Sequence, residues 1–229
     1  MMQPIEFGEF LKRMNIVKPS FGFEGFGLEN TKKIERVVSL KDIEHANFVV
    51  SMPSEYLDHL LRRIGILEDP NHKVYRYATI RRLRVDPHDL YIGQKFVYRP
   101  QYISLLENFK ELFCGFTLPR GISKLTPQII YGIDKEGFCA LAHYITPIFE
   151  VHNGKKVILD GVHRDFIIKN AGTTIESIVI EDVSAPFPCT PKKWDEVEII
   201  DVKPERLEDR YFDLKRRLFR DLKSIGIDG

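Results

Sequence analysis

A carboxylate, a glycine, an imidazole and a guanidinium fall within five residues at Asp160-Gly161-Val162-His163-Arg164, directly after the apolar run Val157-Ile158-Leu159. This grouping suits an oxyanion, and phosphate in particular. Gly161 has no side chain to obstruct an approaching oxygen, and it lets the backbone reverse tightly. If a helix begins at about His163, its unpaired N–H groups and the positive end of its dipole face the same space. Arg164 adds a planar donor fork and His163 a directed donor, both matched to phosphate oxygens. A Gly-x-His-Arg string alone also fits a generic strand-to-helix turn, so the surrounding elements carry the assignment.

Other polar residues suggest less. Glu150 closes the run Ile148-Phe149-Glu150, where it could face the turn as a metal ligand; strand alternation favours its exposure instead. Arg99 opens a helical pattern and could reach a phosphate, whereas Thr173 and Thr174 follow a helix stop and serve the turn. His143, His152 and the other histidines lack ligand spacing, so no metal centre is expected. The segment Phe21-Gly22-Phe23-Glu24-Gly25-Phe26-Gly27 lacks the Lys-Ser/Thr ending of a phosphate loop and reads as turn-rich packing. Cys114, Cys139 and Cys189 form no CxxC pair, which argues against a zinc ribbon or a dithiol site and for buried free thiols.

The elements that must position the turn are readable around it. Ile148-Phe149-Glu150-Val151 and Lys156-Val157-Ile158-Leu159 predict two strands joined by His152-Asn153-Gly154-Lys155, because Asn-Gly supplies positive φ angles. Residues 164–171 predict a helix closed by Gly172, and Ser177-Ile178-Val179-Ile180 a further strand. Upstream, Val74 to Val85 reads as a strand that leaves the sheet at Asp86-Pro87. Residues 99–116 read as an amphipathic helix on Tyr102, Leu105, Leu106, Phe109, Leu112 and Phe113. Ile129-Ile130-Tyr131 and Phe138-Cys139-Ala140-Leu141 flank either a hairpin or a strand-to-helix passage.

Toward the ends, Phe7, Phe10, Leu11 and Met14 mark a short amphipathic stretch. Residues 54–66 predict a helix with Tyr56, Leu57, Leu60, Leu61 and Ile64 on one face, Ser54 as N-cap and Gly65 as stop. Asp69-Pro70-Asn71 breaks the chain. Residues 205–224 predict an amphipathic helix with Leu207, Tyr211, Leu214, Leu218 and Leu222 on its apolar side and mixed charges on a solvated face.

A chain of 229 residues, 43% apolar and 29% charged, has enough Phe, Ile, Leu and Val for a sizeable core. Lys+Arg 34 against Asp+Glu 33 leaves a formal net charge of +1, so no global field draws nucleic acid or an acidic membrane. Any anion site must be local. No charged-then-apolar leader and no apolar run of about 18 residues is present, which predicts a cytoplasmic protein with no membrane partner.

In about half of its length the chain resembles the ParB/sulfiredoxin-like superfamily, in which a strand ends in a Gly-containing turn and His or Arg residues open the next helix. Sulfiredoxin carries Gly-Cys-His-Arg, and Val162 stands where its catalytic cysteine would, which removes thiol chemistry. Archaeal free-serine kinases carry Asp-Gly-His-His-Arg, matched by Asp160-Gly161-Val162-His163-Arg164 at four of five positions. They also carry Lys-Pro-His-Glu after their first strand, where this chain has Asp86-Pro87-His88-Asp89. The resemblance places Asp89 at the carboxylate that orients or deprotonates a substrate hydroxyl. Pro-His-Asp is equally a plain turn in which Asp89 caps the following segment. ParB proteins carry Gly-Glu-Arg-Arg and bind cytidine triphosphate; only the Gly and the final Arg agree here.

The resulting expectation is an α+β or α/β fold. A ParB/sulfiredoxin-like domain at 73–200 has a mixed sheet with flanking helices and the phosphate turn at its edge. A helical extension occupies 1–72, and a C-terminal helix in 201–229 packs back. The leading function is nucleotide binding, as a small-molecule kinase, other phosphotransferase or nucleotide hydrolase using ATP, ADP or CTP with Mg²⁺. Gly161, Val162, His163 and Arg164 form the cradle, and Asp160 or Asp89 supplies the carboxylate toward an unidentified phosphate acceptor. An alternative is a DNA-associated module for partition or phage defence with nucleotide as its switch. It is disfavoured by the near-neutral charge but kept open by the Arg-rich 206–220 segment. A third is a degenerate member that binds only a protein.

Overall fold

The strongest local signals become the elements that surround the turn. In the computed structural model, which describes residues 4–16, 33–106 and 126–227, Asn153 (φ 50) and Gly154 (φ 75) take left-handed conformations. They join β8, Ile148–His152, to β9, Lys155–Asp160, as an antiparallel hairpin. β9 passes through Gly161 into α3, Val162–Asn170, and the chain returns as β10, Ile175–Glu181, parallel to β8. β3, Thr79–Val85, then pairs antiparallel with β10, and β4, Tyr91–Ile92, runs parallel to β9. The five-stranded order β3-β10-β8-β9-β4 is therefore a mixed sheet. With helices packed among such sheets, the chain is α+β.

Contacts divide the chain into two units. One comprises Gly65–Leu125 and Thr146–Arg220, and holds the mixed sheet, α3 and a short parallel pair of β5, Phe96–Tyr98, with β11, Glu198–Ile200. Its core on the α3 side is built from Val85, Leu90, Ile92, Val97, Phe149, Ile158, Val162 and Val179, with Tyr102, Phe166 and Trp194 packed against it. Residues 99–106 are helical; the remainder of the predicted 99–116 helix lies outside the described residues, as does the Gly/Phe-rich 21–27 segment.

The other unit comprises Met1–Ile64, Thr126–Ile145 and Asp221–Gly229. It contains α1, Phe7–Arg13, and α2, Ser54–Arg62, with a sheet ordered β1-β7-β6-β2. Here β1 is Arg36–Val37, β2 Ile43–Ser51, β6 Gln128–Asp134 and β7 Cys139–Tyr144. The passage at 129–141 is thus a hairpin, and β6 pairs along the length of β2. That pairing draws 126–145 away from the expected 73–200 domain, and it makes the N-terminal part a sheet-bearing unit rather than a helical extension with its boundary at 72. Ser54 is the first helical residue of α2 rather than its cap, a position taken by Pro53.

The C-terminal expectation fails. Residues 205–224 form no α-helix; they contain short 3₁₀ turns at Leu207–Arg210, Arg216–Leu218 and Leu222–Ile225. The backbone of this stretch spends its hydrogen bonds elsewhere. Lys95 N–H donates to Arg210 O at 2.9 Å, Phe212 N–H to Gly93 O at 2.9 Å, and Leu67 N–H to Phe219 O at 2.7 Å. Asp213, at φ 48, also breaks any helical run. A pattern with helical period gave way to short turns whose backbone bonds go to distant segments.

Candidate functional site

The turn lies where the sequence places it. Gly161 is the N-cap of α3 at φ 105, ψ 14, a left-handed conformation open chiefly to glycine. A Cβ there would stand 2.8 Å from Pro147 Cβ, so strand and helix can join this closely only without one. Asp165 N–H donates to Gly161 O at 2.9 Å, the first bond of the helix, and no side chain caps the start. An α-helix leaves its leading N–H groups without intrahelical acceptors, and they carry the positive end of the dipole.

Around this start, Arg164 and Asp160 form an ion pair, Nη2 to Oδ2 at 2.5 Å, with side chains 13% and 14% exposed. The pair is neither sealed nor loose. Val162 is buried in the core with Ile158 and Val179, so the residue at the cysteine position anchors the helix.

His163 has a different task from the expected one. It is 9% exposed, and its Nε2 accepts a hydrogen bond from Tyr98 N–H at 3.0 Å. Burial, then the charges of Lys203 and Arg164, push its pKa down to about 4, so the ring is neutral. Its Nε2 therefore cannot donate to an anion. His163 pins the end of β5 to the first turn of α3 through Nε2, and the proton of the neutral ring is on Nδ1.

The sequence reading missed Asp165. It is wholly buried, and neither carboxyl oxygen has a hydrogen-bond partner. Burial raises its pKa well above the usual carboxylate range, against the attraction of Arg164 and with the repulsion of Asp160. Its carboxyl therefore sits within the field of the Asp160–Arg164 pair. The available signal was an acid on the stripe Val162, Asp165, Ile168, whose three-residue spacing turns it toward the core. Thr146, which precedes the Pro147 that packs on Gly161, likewise has a buried hydroxyl without a partner.

Asp89 ends a 3₁₀ turn, Pro87–Asp89, that packs against α3. Its carboxylate is exposed. The cap of the turn is Asp86, which accepts from His88 N–H at 3.0 Å and holds the His88 ring at 2.8 Å. The element that follows Asp89 is the short strand β4, which has no helix start to cap. The structure brings the Asp89 turn alongside α3 through Trp194, whose Nε1 donates to Pro87 O at 2.6 Å and whose ring lies 6.2 Å from Phe166.

Glu150 is neither exposed nor open to a metal. It is fully buried, and Arg220 grips it through Nε to Oε1 and Nη2 to Oε2, both at 2.9 Å. Tyr75 Oη donates to Oε1, and His152 Nε2 lies 2.5 Å from Oε2. Burial alone would raise its pKa, but the bond to His152, the charge and bonds of Arg220 and the Tyr75 hydroxyl together hold it below the usual value.

The remaining candidates are structural. Arg99 pairs with Asp201 at 2.8 Å. His143 is buried, with Nε2 2.6 Å from Tyr56 Oη and Nδ1 3.1 Å from Ile225 O; since that carbonyl can only accept, Nδ1 donates. Cys139 is half-buried and Cys189 buried, both as free thiols, while Cys114 lies outside the described residues. Among the described residues no group of three or more His, Cys, Asp or Glu could hold a metal ion, and no helix is long and apolar enough to cross a membrane. Compared with protein-family models, with curated proteins and with solved structures, the chain matches none.

Proposed function

We propose that the chain binds a nucleotide through its phosphates at Asp160–Arg164, in the manner the resemblance to the ParB/sulfiredoxin-like superfamily implies. The observation that carries this reading is the uncapped start of α3 behind a left-handed Gly161, with the Arg164 guanidinium beside it. Backbone N–H groups and Arg164 hold the phosphate; His163 positions the helix rather than touching the ligand. Such a site favours an anion and leaves the base to be read elsewhere.

A divalent cation fits the same place. Mg²⁺ keeps several waters and needs only one or two carboxylates together with substrate phosphates. Asp160, partly exposed beside Arg164, would hold it together with the phosphates, and it would supply neutralisation of the phosphate charge. Asp89, exposed on the turn packed against α3, is the base available to an acceptor hydroxyl. The chemistry this supports is phosphoryl transfer or nucleotide hydrolysis.

Thermal-shift measurements with ATP, ADP, CTP and GTP, with and without Mg²⁺, test this reading. A ligand at about 100 times its Kd adds about 2.7 kcal/mol to native stability, and at least one nucleotide should do so. Arg164→Ala should abolish the shift. A chain that no nucleotide stabilises, or an Arg164→Ala variant with unchanged affinity by calorimetry, refutes the assignment.

A further inference from the structure

Residues 73–85 carry Lys73, Arg76, Arg81, Arg82 and Arg84 and no acidic residue, in a chain whose formal net charge is +1. β3, which holds three of these arginines, is an edge strand of the mixed sheet, and Arg81, Arg82, Leu83 and Arg84 are all exposed. Alternation puts Arg82 and Arg84 on one face, about 6.8 Å apart along the strand, and Arg81 on the other. Arg81 lies 3.5 Å from Glu181, while Arg82 and Arg84 have no ion-pair partner among the described residues. Immediately before the strand, Tyr77 is 81% exposed, with the Arg76 guanidinium 5.4 Å from its ring centroid.

Charge on an edge strand also discourages pairing with other chains. That purpose requires neither a single sign nor an exposed tyrosine. Guanidinium groups match phosphate oxygens two at a time, and an exposed aromatic ring stacks an unpaired base. The predicted basic helix at 206–220 does not form; Arg220 is buried on Glu150, Arg210 is bound to the carbonyls of Pro204 and Glu205, and Arg216 lies 3.7 Å from Glu68 and 3.6 Å from Glu208.

We propose that this edge, from Arg76 and Tyr77 to Arg84, is a binding site for single-stranded nucleic acid, with the arginines on successive phosphates and Tyr77 beneath a base. β3 stands three places from β9 in the sheet, so the site is separate from the Asp160–Arg164 turn and does not depend on nucleotide binding there. A duplex hides its bases in the stack and would use the arginines alone. Single strands are therefore the preferred ligand.

The test is fluorescence anisotropy of the full chain with a labelled mixed-sequence single strand, as DNA and as RNA, and with the matching duplex. With about three phosphates neutralised, raising salt from about 50 to about 200 mM should weaken single-strand binding about 20-fold. R82Q/R84Q should lower affinity about tenfold or more at the lower salt and reduce the slope of log K on log salt by about 1.4. Tyr77→Ala should weaken binding about tenfold at both salts and leave the slope unchanged. R206Q/R217Q removes the same charge from exposed arginines elsewhere and should stay within about twofold of the parent. These side chains are exposed, so melting temperatures should be unaltered. Absence of single-strand binding at the lower salt, tighter binding of the duplex, parent-like affinity in R82Q/R84Q, or an equal loss in R206Q/R217Q would each overturn the proposal.

Discussion

Asp160 with Arg164 and Glu150 with Arg220 are the same pair of chemical groups in the same unit. The first pair lies four residues apart across one strand-to-helix turn, with side chains 13% and 14% exposed. The second lies 70 residues apart, and both side chains are fully buried. Glu150 receives bonds from Tyr75, His152 and two nitrogens of Arg220, and Arg220 also donates to Ala185, Pro186 and Leu218 carbonyls. Both Glu150 oxygens are engaged from several sides. The partly buried pair, by contrast, stands beside an uncapped helix start and an orphaned Asp165. Dense satisfaction marks the Glu150 cluster, whereas beside the first pair the Asp165 carboxyl is left without a hydrogen-bond partner.

This contrast breaks most sharply at Arg220. Removing one member of a buried ion pair strands the other without water, at a cost of about 3–5 kcal/mol. Arg220→Ala should lower urea stability by that amount, while the protein that remains folded keeps its nucleotide-induced thermal shift. A stability close to the parent would show that the cluster is not structural.

The turn has its own dependence on acid. His163 is held neutral, with a pKa of about 4 against an ordinary 6.5, so the unfolded chain binds the proton more readily. Its contribution is complete above about pH 6.5 and is lost as the pH falls toward 4. The loss is about 3 kcal/mol over that interval. In denaturant titrations between those limits, His163→Gln should flatten this part of the profile, since Gln can accept from Tyr98 N–H without titrating. An unchanged profile would assign the acid sensitivity to other groups.

A smaller effect is expected at Gly161, where an alanine must adopt φ 105 and meet Pro147. Gly161→Ala should cost about 1–3 kcal/mol in stability, as residues held in sparsely populated conformations do. It should also remove the nucleotide-dependent shift through displacement of the helix start. Parent-like nucleotide affinity would mean that the left-handed glycine serves the fold alone.

Much of the turn was legible because its information is local. Asn153-Gly154 fixes a hairpin, Gly161 and Gly172 mark the two ends of α3, and the apolar runs Ile148-Phe149 and Val157-Ile158-Leu159 mark β8 and β9. The roles of the polar groups were less legible. Alternation suggested that Glu150 faces solvent, but Arg220 and Tyr75 arrive from distant parts of the chain to cover it. His163 has the chemistry of a phosphate donor, and only the approach of β5 turns its Nε2 into an acceptor.

The sequence by itself determined the strand, glycine turn and helix from Lys155 to Gly172, because those conformations depend on residues within one or two turns of each other. Tertiary structure alone decided the rest. It joined 126–145 to the N-terminal sheet, drew 205–224 out of its helical pattern, and buried Asp165 within reach of the Asp160–Arg164 charges. The physical reason is the same in each case: backbone and charged groups go where their hydrogen bonds and ion partners are, and those partners lie far away in sequence.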